Sequence, residues 1–319
     1  MAEAPEAEAH DPAHDPAYTP DRARNQAARW ASELATTTDW PAISQAAHAL
    51  DVNALRRELS AGVGVDTLVM GPEDEASNTG GRTPLQLVCE TPNELVIYQR
   101  GGTDEAFLGW AAAPPQRRRV IDEGINANRI ACVVILLDHG ASPNTAGPSI
   151  TPLMGAAVQG SLAVVNMLLA AGSDANTPWH AGSQACSPLF MVVLTNRRQG
   201  PAIADALLKA GADANPPDFI GKALMAWAIG GGNHRLWPVL LRGGTLLPPR
   251  DGSWGPGESY DTHRAHPYLQ KLDAAGGWTA HEKVHRARML AIFVPKFTHL
   301  VPPELVTRIV ECSFHLGFY

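Results

Sequence analysis

Three phrases constrain this chain more than anything else in it: LLDHGASPN from Leu136, LLAAGSDAN from Leu168 and LLKAGADAN from Leu207. Each closes an apolar helical run with a Gly that can take the left-handed conformation, then turns through small polar residues. Recurrence of a whole phrase means one supersecondary unit copied along the chain. A second phrase opens the copies: Thr83-Pro84-Leu85, Thr151-Pro152-Leu153 and, altered, Ser187-Pro188-Leu189. Its physics is local. The hydroxyl caps a helix, Pro pre-sets the first turn, and Leu enters the core between neighbouring copies.

Spacing sets the expected unit boundaries. From Pro152 to Pro188 is 36 residues, while from Pro84 to Pro152 is 68, which predicts two periods with a degenerate junction hidden between them. Arg117 to Asn126 is then the first helix of the hidden unit, with Val120, Ile121 and Ile125 inward, and Arg129 to Asp138 its second. The preceding unit uses Asn93 to Gln99 as its second helix and Gly101 to Pro115 as an elongated connection. The closing Gly falls at Gly62, Gly140, Gly172, Gly211 and Gly243. Extra residues between Gly172 and Gly211 are expected in the finger around Trp179-His180-Ala181-Gly182 and in the turn from Arg197 to Pro201.

These phrases resemble ankyrin repeats, whose period is about 33 residues. The resemblance covers Ile43 to Leu247. It implies an all-α fold: an ankyrin solenoid of five or six helix-pair units with protruding hairpin fingers and a C-terminal helical cap. It also implies a non-catalytic protein-interaction scaffold that binds an unidentified protein through its fingers and concave face. The family's first helix usually has His directly after Thr-Pro-Leu; here Gln86, Met154, Phe190 and Met225 stand there, which predicts weaker polar stitching and stronger apolar packing between repeats. Trp179, His180, Phe219 and Ile220 sit where fingers are expected and are the candidate partner-binding residues.

Around the repeats, residues 1–18 read as a disordered acidic tail of Ala, Pro, Glu, His and Asp. Residues 19–66 form N-terminal helices and a capping repeat, with a helix from Thr19 to Thr36 and two more beginning at Trp40-Pro41 and Val52. Repeats fill 67–247, a Pro/Gly-rich connector spans 248–263, and 264–319 is a helical extension. The extension, from HPYLQKLDAAGGW to FHLGFY, is similar to the C-terminal segment of some ankyrin proteins of unknown activity. No biochemical role comes with that similarity; a cap on the last repeat is the simplest role, because an open stack end needs covering.

Charge narrows the function classes. Against 32 Asp plus Glu stand 25 Lys plus Arg, a net −7, which disfavours nucleic-acid binding through counterion release. Arg117-Arg118-Arg119 on its own reads as an exposed helix start. Cys89, Cys132, Cys186 and Cys312 are far apart and unpaired in pattern, as expected of buried thiols in a reducing compartment. With no apolar leader at the start and no apolar run of about 18 residues, a monomeric, cytoplasmic or nuclear protein without cofactor or membrane contact is expected.

Two motifs point elsewhere. His281-Glu282-Lys283-Val284-His285 spells HExxH, which places two imidazoles on one helix face with a Glu as base and would make a zinc hydrolase. No metzincin-type extension follows, a third ligand could come only from Glu304 or Glu311 with the Pro-separated last helix folded back, and Lys283 and Arg286 crowd the place of the metal, so no catalytic or metal-binding residue is assigned. LVPPELVTRIVEC resembles the opening helix of an F-box, and Leu305, Val306, Ile309, Val310 and Cys312 form an apolar face that would dock an adaptor of a ubiquitin ligase.

Overall fold

A computed structural model describes residues 20–69, 81–101, 104–145, 150–181, 184–195, 197–216, 224–247, 266–297 and 299–315. The acidic tail and the connector lie outside them. Among the described residues the regular elements are helices and one short hairpin, and the chain divides into two compact units, Met1–Ala212 and Asp213–Tyr319.

The opening phrases do what their chemistry requires. Thr83 accepts from the Gln86 amide while the Gln86 side chain accepts from the Thr83 amide, a complete capping box at the start of α4 (Pro84–Glu90). Thr151 caps α8 (Pro152–Gln159) and Ser187 caps α10 (Pro188–Thr195), each accepting from the amide three residues on. The second helices, α3 (Val52–Ser60), α9 (Leu162–Ala170) and α11 (Gly200–Lys209), each end before a Gly of positive φ.

In the first unit these helices form two packed rows. Helices α2 (Ala42–His48), α4, α8 and α10 touch in that order, and so do α3, α7 (Pro115–Asp138), α9 and α11. Each first helix also packs on its own second helix, which makes four pairs: α2/α3, α4/α7, α8/α9 and α10/α11. Because α8 lies between α4 and α10, apolar residues are needed all round it, and Leu153, Met154, Ala156 and Ala157 are buried. Gly155 permits the closest approach; a Cβ there would lie 3.1 Å from the Cys89 carbonyl carbon and the Glu90 nitrogen.

The shared terminal Asn of the three phrases stitches successive turns. Asn144 Nδ2 donates to the Gly172 carbonyl (2.8 Å), and Asn176 Nδ2 to the Gly211 carbonyl (2.9 Å). Asn144 Oδ1 accepts in return from the Asp174 amide (2.8 Å). Gly172 and Gly211 lie in the turns just past α9 and α11, so each Asn ties its own turn to the one that closes the next second helix. Asn215 repeats the bond within the second unit, to Gly244. The left-handed residue there is Gly244, at φ +96, and not the expected Gly243, whose φ is −69.

The hidden repeat is not there. Residues 115–138 are one continuous helix, α7, which packs on α4. No Pro interrupts residues 116 to 138; Gly124 is the single Gly there, and a Cβ on it would meet nothing within 4 Å. Of the three residues expected inward, Ile125 is buried and Val120 is 68% exposed. Helices α5 (Asn93–Gly101) and α6 (Asp104–Ala111) are an insertion that packs with α1 (Pro20–Ala35), where Trp30 meets Phe107 edge-on at 4.8 Å. The 68-residue interval is therefore one repeat plus a helical insertion.

Arg129 fixes the joint between the insertion and the repeats. Fully buried on α7, its guanidinium donates to the Val88 carbonyl, the Thr91 carbonyl (2.8 Å) and Asn93 Oδ1 (2.7 Å), closing the end of α4 and the start of α5. Burial lowers its pKa to about 10, which leaves it charged at neutral pH.

The second unit contains the pair α12 (Leu224–Gly230) and α13 (Trp237–Arg242), then α14 (Pro267–Ala275), α15 (Trp278–Phe297) and α16 (Pro303–His315). Helix α15 packs on α13, α14 and α16. It runs two residues past Pro295, whose missing N–H removes one helical hydrogen bond. Trp237 is the hub: its indole donates to the Ala228 carbonyl (3.1 Å), and its ring meets His234 and His266 edge-on.

Candidate functional site

Strands β1 (Trp179–Ala181) and β2 (Gln184–Cys186) form an antiparallel finger between α9 and α10, with Trp179 opposite Cys186 and His180 opposite Ala185. Its base is rigid. Asp174 accepts from the Asn176 amide (2.8 Å) and from the Thr177 hydroxyl (3.1 Å), and Asn176 ties to Gly211 as above. Trp179 is half-buried at the foot of the finger. The backbone of His180 is placed in β1, but its side chain lies outside the described residues, as do Phe219 and Ile220.

A polar cleft of about 420 Å³ lies in the first unit, a site no sequence motif announced. One wall is the first half of α7, whose Arg119, Asp122, Glu123 and Asn126 share a face by helical spacing, together with Asn93 and Glu94 of α5. The facing wall is Gln159 and Gly160 at the end of α8 and Arg197, Arg198 and Gln199 before α11. Framework bonds hold that wall: Gln159 Nε2 donates to the Glu90 carbonyl (2.7 Å), Arg197 Nε to the Val158 carbonyl (3.0 Å), and Gln199 Oε1 accepts from the Leu162 amide (3.0 Å). Gln86 Nε2 likewise reaches across to the Ile150 carbonyl (3.1 Å). The stitching expected to be weak is therefore supplied by Gln side chains.

The HExxH residues lie on α15 without forming a centre. His281 and His285 stack in parallel with centroids 5.9 Å apart, while Glu282 turns to Arg286 (3.3 Å). Burial first and Lys271 second lower the His281 pKa; burial, then His281, Arg288 and Lys271 lower that of His285. No group of three or more metal-ligating side chains exists among the described residues. The arginine triplet does not act as one patch either: Arg118 is buried and Arg119 pairs with Glu123 (2.9 Å). Cys89, Cys132 and Cys186 are buried, and burial pushes the thiols of Cys89 and Cys132 up to about 12.

The expected apolar face of α16 divides. Val306 is 2% exposed against Met289, Leu290 and Phe293 of α15, whereas Leu305 and Ile309 are 46% and 57% exposed. The side chains of Val310 and Cys312 lie outside the described residues. Among the described residues no helix is long and apolar enough to cross a membrane.

His48 on α2 ties the insertion to the first pair. It is buried, and its Nδ1 accepts from Gln99 Nε2 of α5 (2.7 Å). Burial, with Arg82 second, holds its pKa at about 4, so the folded protein keeps it neutral while the unfolded chain protonates near 6.5. Stability is full above about pH 6.5 and falls as the pH drops towards 4. Between about pH 7 and pH 4.5 this one group withdraws roughly 2–3 kcal/mol. Urea titrations at the two values should show that loss in the wild type and a flatter pH response in His48→Gln.

Residues 150–180, which comprise α8, α9 and the start of the finger, match the family model of the ankyrin repeat. The match supports an ankyrin-repeat protein, and the repeated chemistry around it agrees. No curated protein matches the chain.

Proposed function

We propose that the chain is a non-catalytic protein-interaction scaffold and that all five helix pairs are ankyrin repeats. The finger carries this reading: a hairpin on a hydrogen-bonded base, held by packed helix pairs, can bind a partner with little further loss of backbone entropy. Trp179 and His180 supply the contacts of this finger, and Phe219 and Ile220 hold the corresponding sequence position after α11. Aromatic residues on a rigid support are the side chains that most often dominate such interfaces. The protein works as a monomer in the cytosol or nucleus, needs no cofactor, and binds protein rather than nucleic acid or membrane.

Affinity capture with the wild type and with Trp179→Ala plus Phe219→Ala, both shown folded by circular dichroism, tests the reading. Partners should drop out with the variant; unchanged capture removes these residues from the interface. The exposed Leu305 and Ile309 favour a second reading, an adaptor that docks a ubiquitin-ligase subunit on α16. That reading requires a ligase subunit which co-purifies with the full chain and is lost when residues 303–319 are deleted.

A further inference from the structure

The cleft between α7 and the turns that follow α8 and α10 has a donor and acceptor pattern fixed by the frame. The Asn93 carbonyl oxygen is held by Arg129, which can only donate, so Nδ2 is the half left to offer. The Gln159 amide nitrogen is spent on the Glu90 carbonyl, which leaves Oε1 as an acceptor. Gln199 Oε1 is taken by the Leu162 amide, which leaves Nε2 as a donor. Asn126 adds an amide with both capacities. In each of the first three cases the partner can bond only one way, so the orientation is not a matter of choice.

This lining suits few ligands. Among the described residues it holds no aliphatic or aromatic side chain, unlike the mostly apolar pockets that take small molecules. Among the described lining residues three arginines, Arg119, Arg197 and Arg198, are balanced by three acids, Glu94, Asp122 and Glu123, so they carry no excess of positive charge for nucleic acid. A chain that presents alternating N–H and C=O groups does fit, because every residue of an extended polypeptide supplies one of each.

We propose that this cleft binds an extended segment of a partner polypeptide through its main chain, with Asn93, Asn126, Gln159 and Gln199 as the amide contacts. The flanking charges of both signs would select a segment with mixed acidic and basic side chains. The site lies at the helix ends away from the β1–β2 finger, since the turn at Gly160 joins α8 to α9 and the finger joins α9 to α10. It is a second surface, beyond the finger-based reading, and is tested separately from it.

The test selects a displayed library of random linear peptides on the immobilised full-length protein. Gln199→Glu keeps the oxygen that accepts from Leu162 and turns the offered donor into a charged acceptor; Asn126→Ala removes an amide from the surface of α7 without changing the charge. Enriched peptides should bind each folded variant about tenfold more weakly, lose a similar factor when their own amides are N-methylated, and bind Trp179→Ala like the wild type. The proposal is overturned if no peptide is enriched, if binding survives both cleft variants, or if it disappears with Trp179→Ala, which would assign the peptides to the finger.

Discussion

Arg129→Met lowers the unfolding free energy of the first unit by about 3–5 kcal/mol, the range for breaking a buried, hydrogen-bonded charged group by removing one side of it. Methionine fills much of the space, so the loss comes from three stranded acceptors: the Val88 and Thr91 carbonyls and Asn93 Oδ1. Two of these terminate α4, and the planar guanidinium fork is what reaches them together. Arg129→Lys should fall in between, because one ammonium cannot span all three acceptors. Denaturant unfolding of the full chain, followed by far-UV circular dichroism, measures both.

Trp237→Ala should cost about 3–5 kcal/mol in the second unit, from the lost ring volume and the lost indole hydrogen bond to the Ala228 carbonyl. The ring is 1% exposed and joins α13 to the start of α14 through His266 and Tyr268. Its loss should therefore loosen α14 along with the α12/α13 pair. Limited proteolysis would show this as new cleavage within Pro267–Ala275, with the first unit still protected. Cleavage unchanged from the wild type would mean that Trp237 is not the anchor of those helices.

The parts legible in the sequence were those with local causes. Caps at Thr83, Thr151 and Ser187, the left-handed Gly172 and Gly211, and the apolar α8 each follow from a few adjacent residues. The insertion was misread because 68 residues is close to two periods and because nothing local marks α7 as one helix. Periodicity alone could not tell a degenerate repeat from a bundle of α1, α5 and α6 added to the side.

The Asn144 and Asn176 stitches were visible as recurring letters, but their role depends on a carbonyl about one repeat away. The cleft was invisible for a related reason. Its amides are separated along the chain, and a polar residue says nothing about which half of its amide the frame consumes. Of the predicted finger residues, Trp179 is placed with its side chain and His180 by its backbone; Phe219 and Ile220 remain expectations from sequence.

Adjacent helix pairs share one buried interior; that is what everything said of the first unit depends on. Amide hydrogen exchange on the intact chain, with increasing denaturant below the unfolding midpoint, reads this directly. Helices α4 and α8, which meet backbone to backbone at Gly155, should share a single opening free energy equal to that of their unit's unfolding. Separate and unrelated opening free energies for α4 and α8 would contradict it.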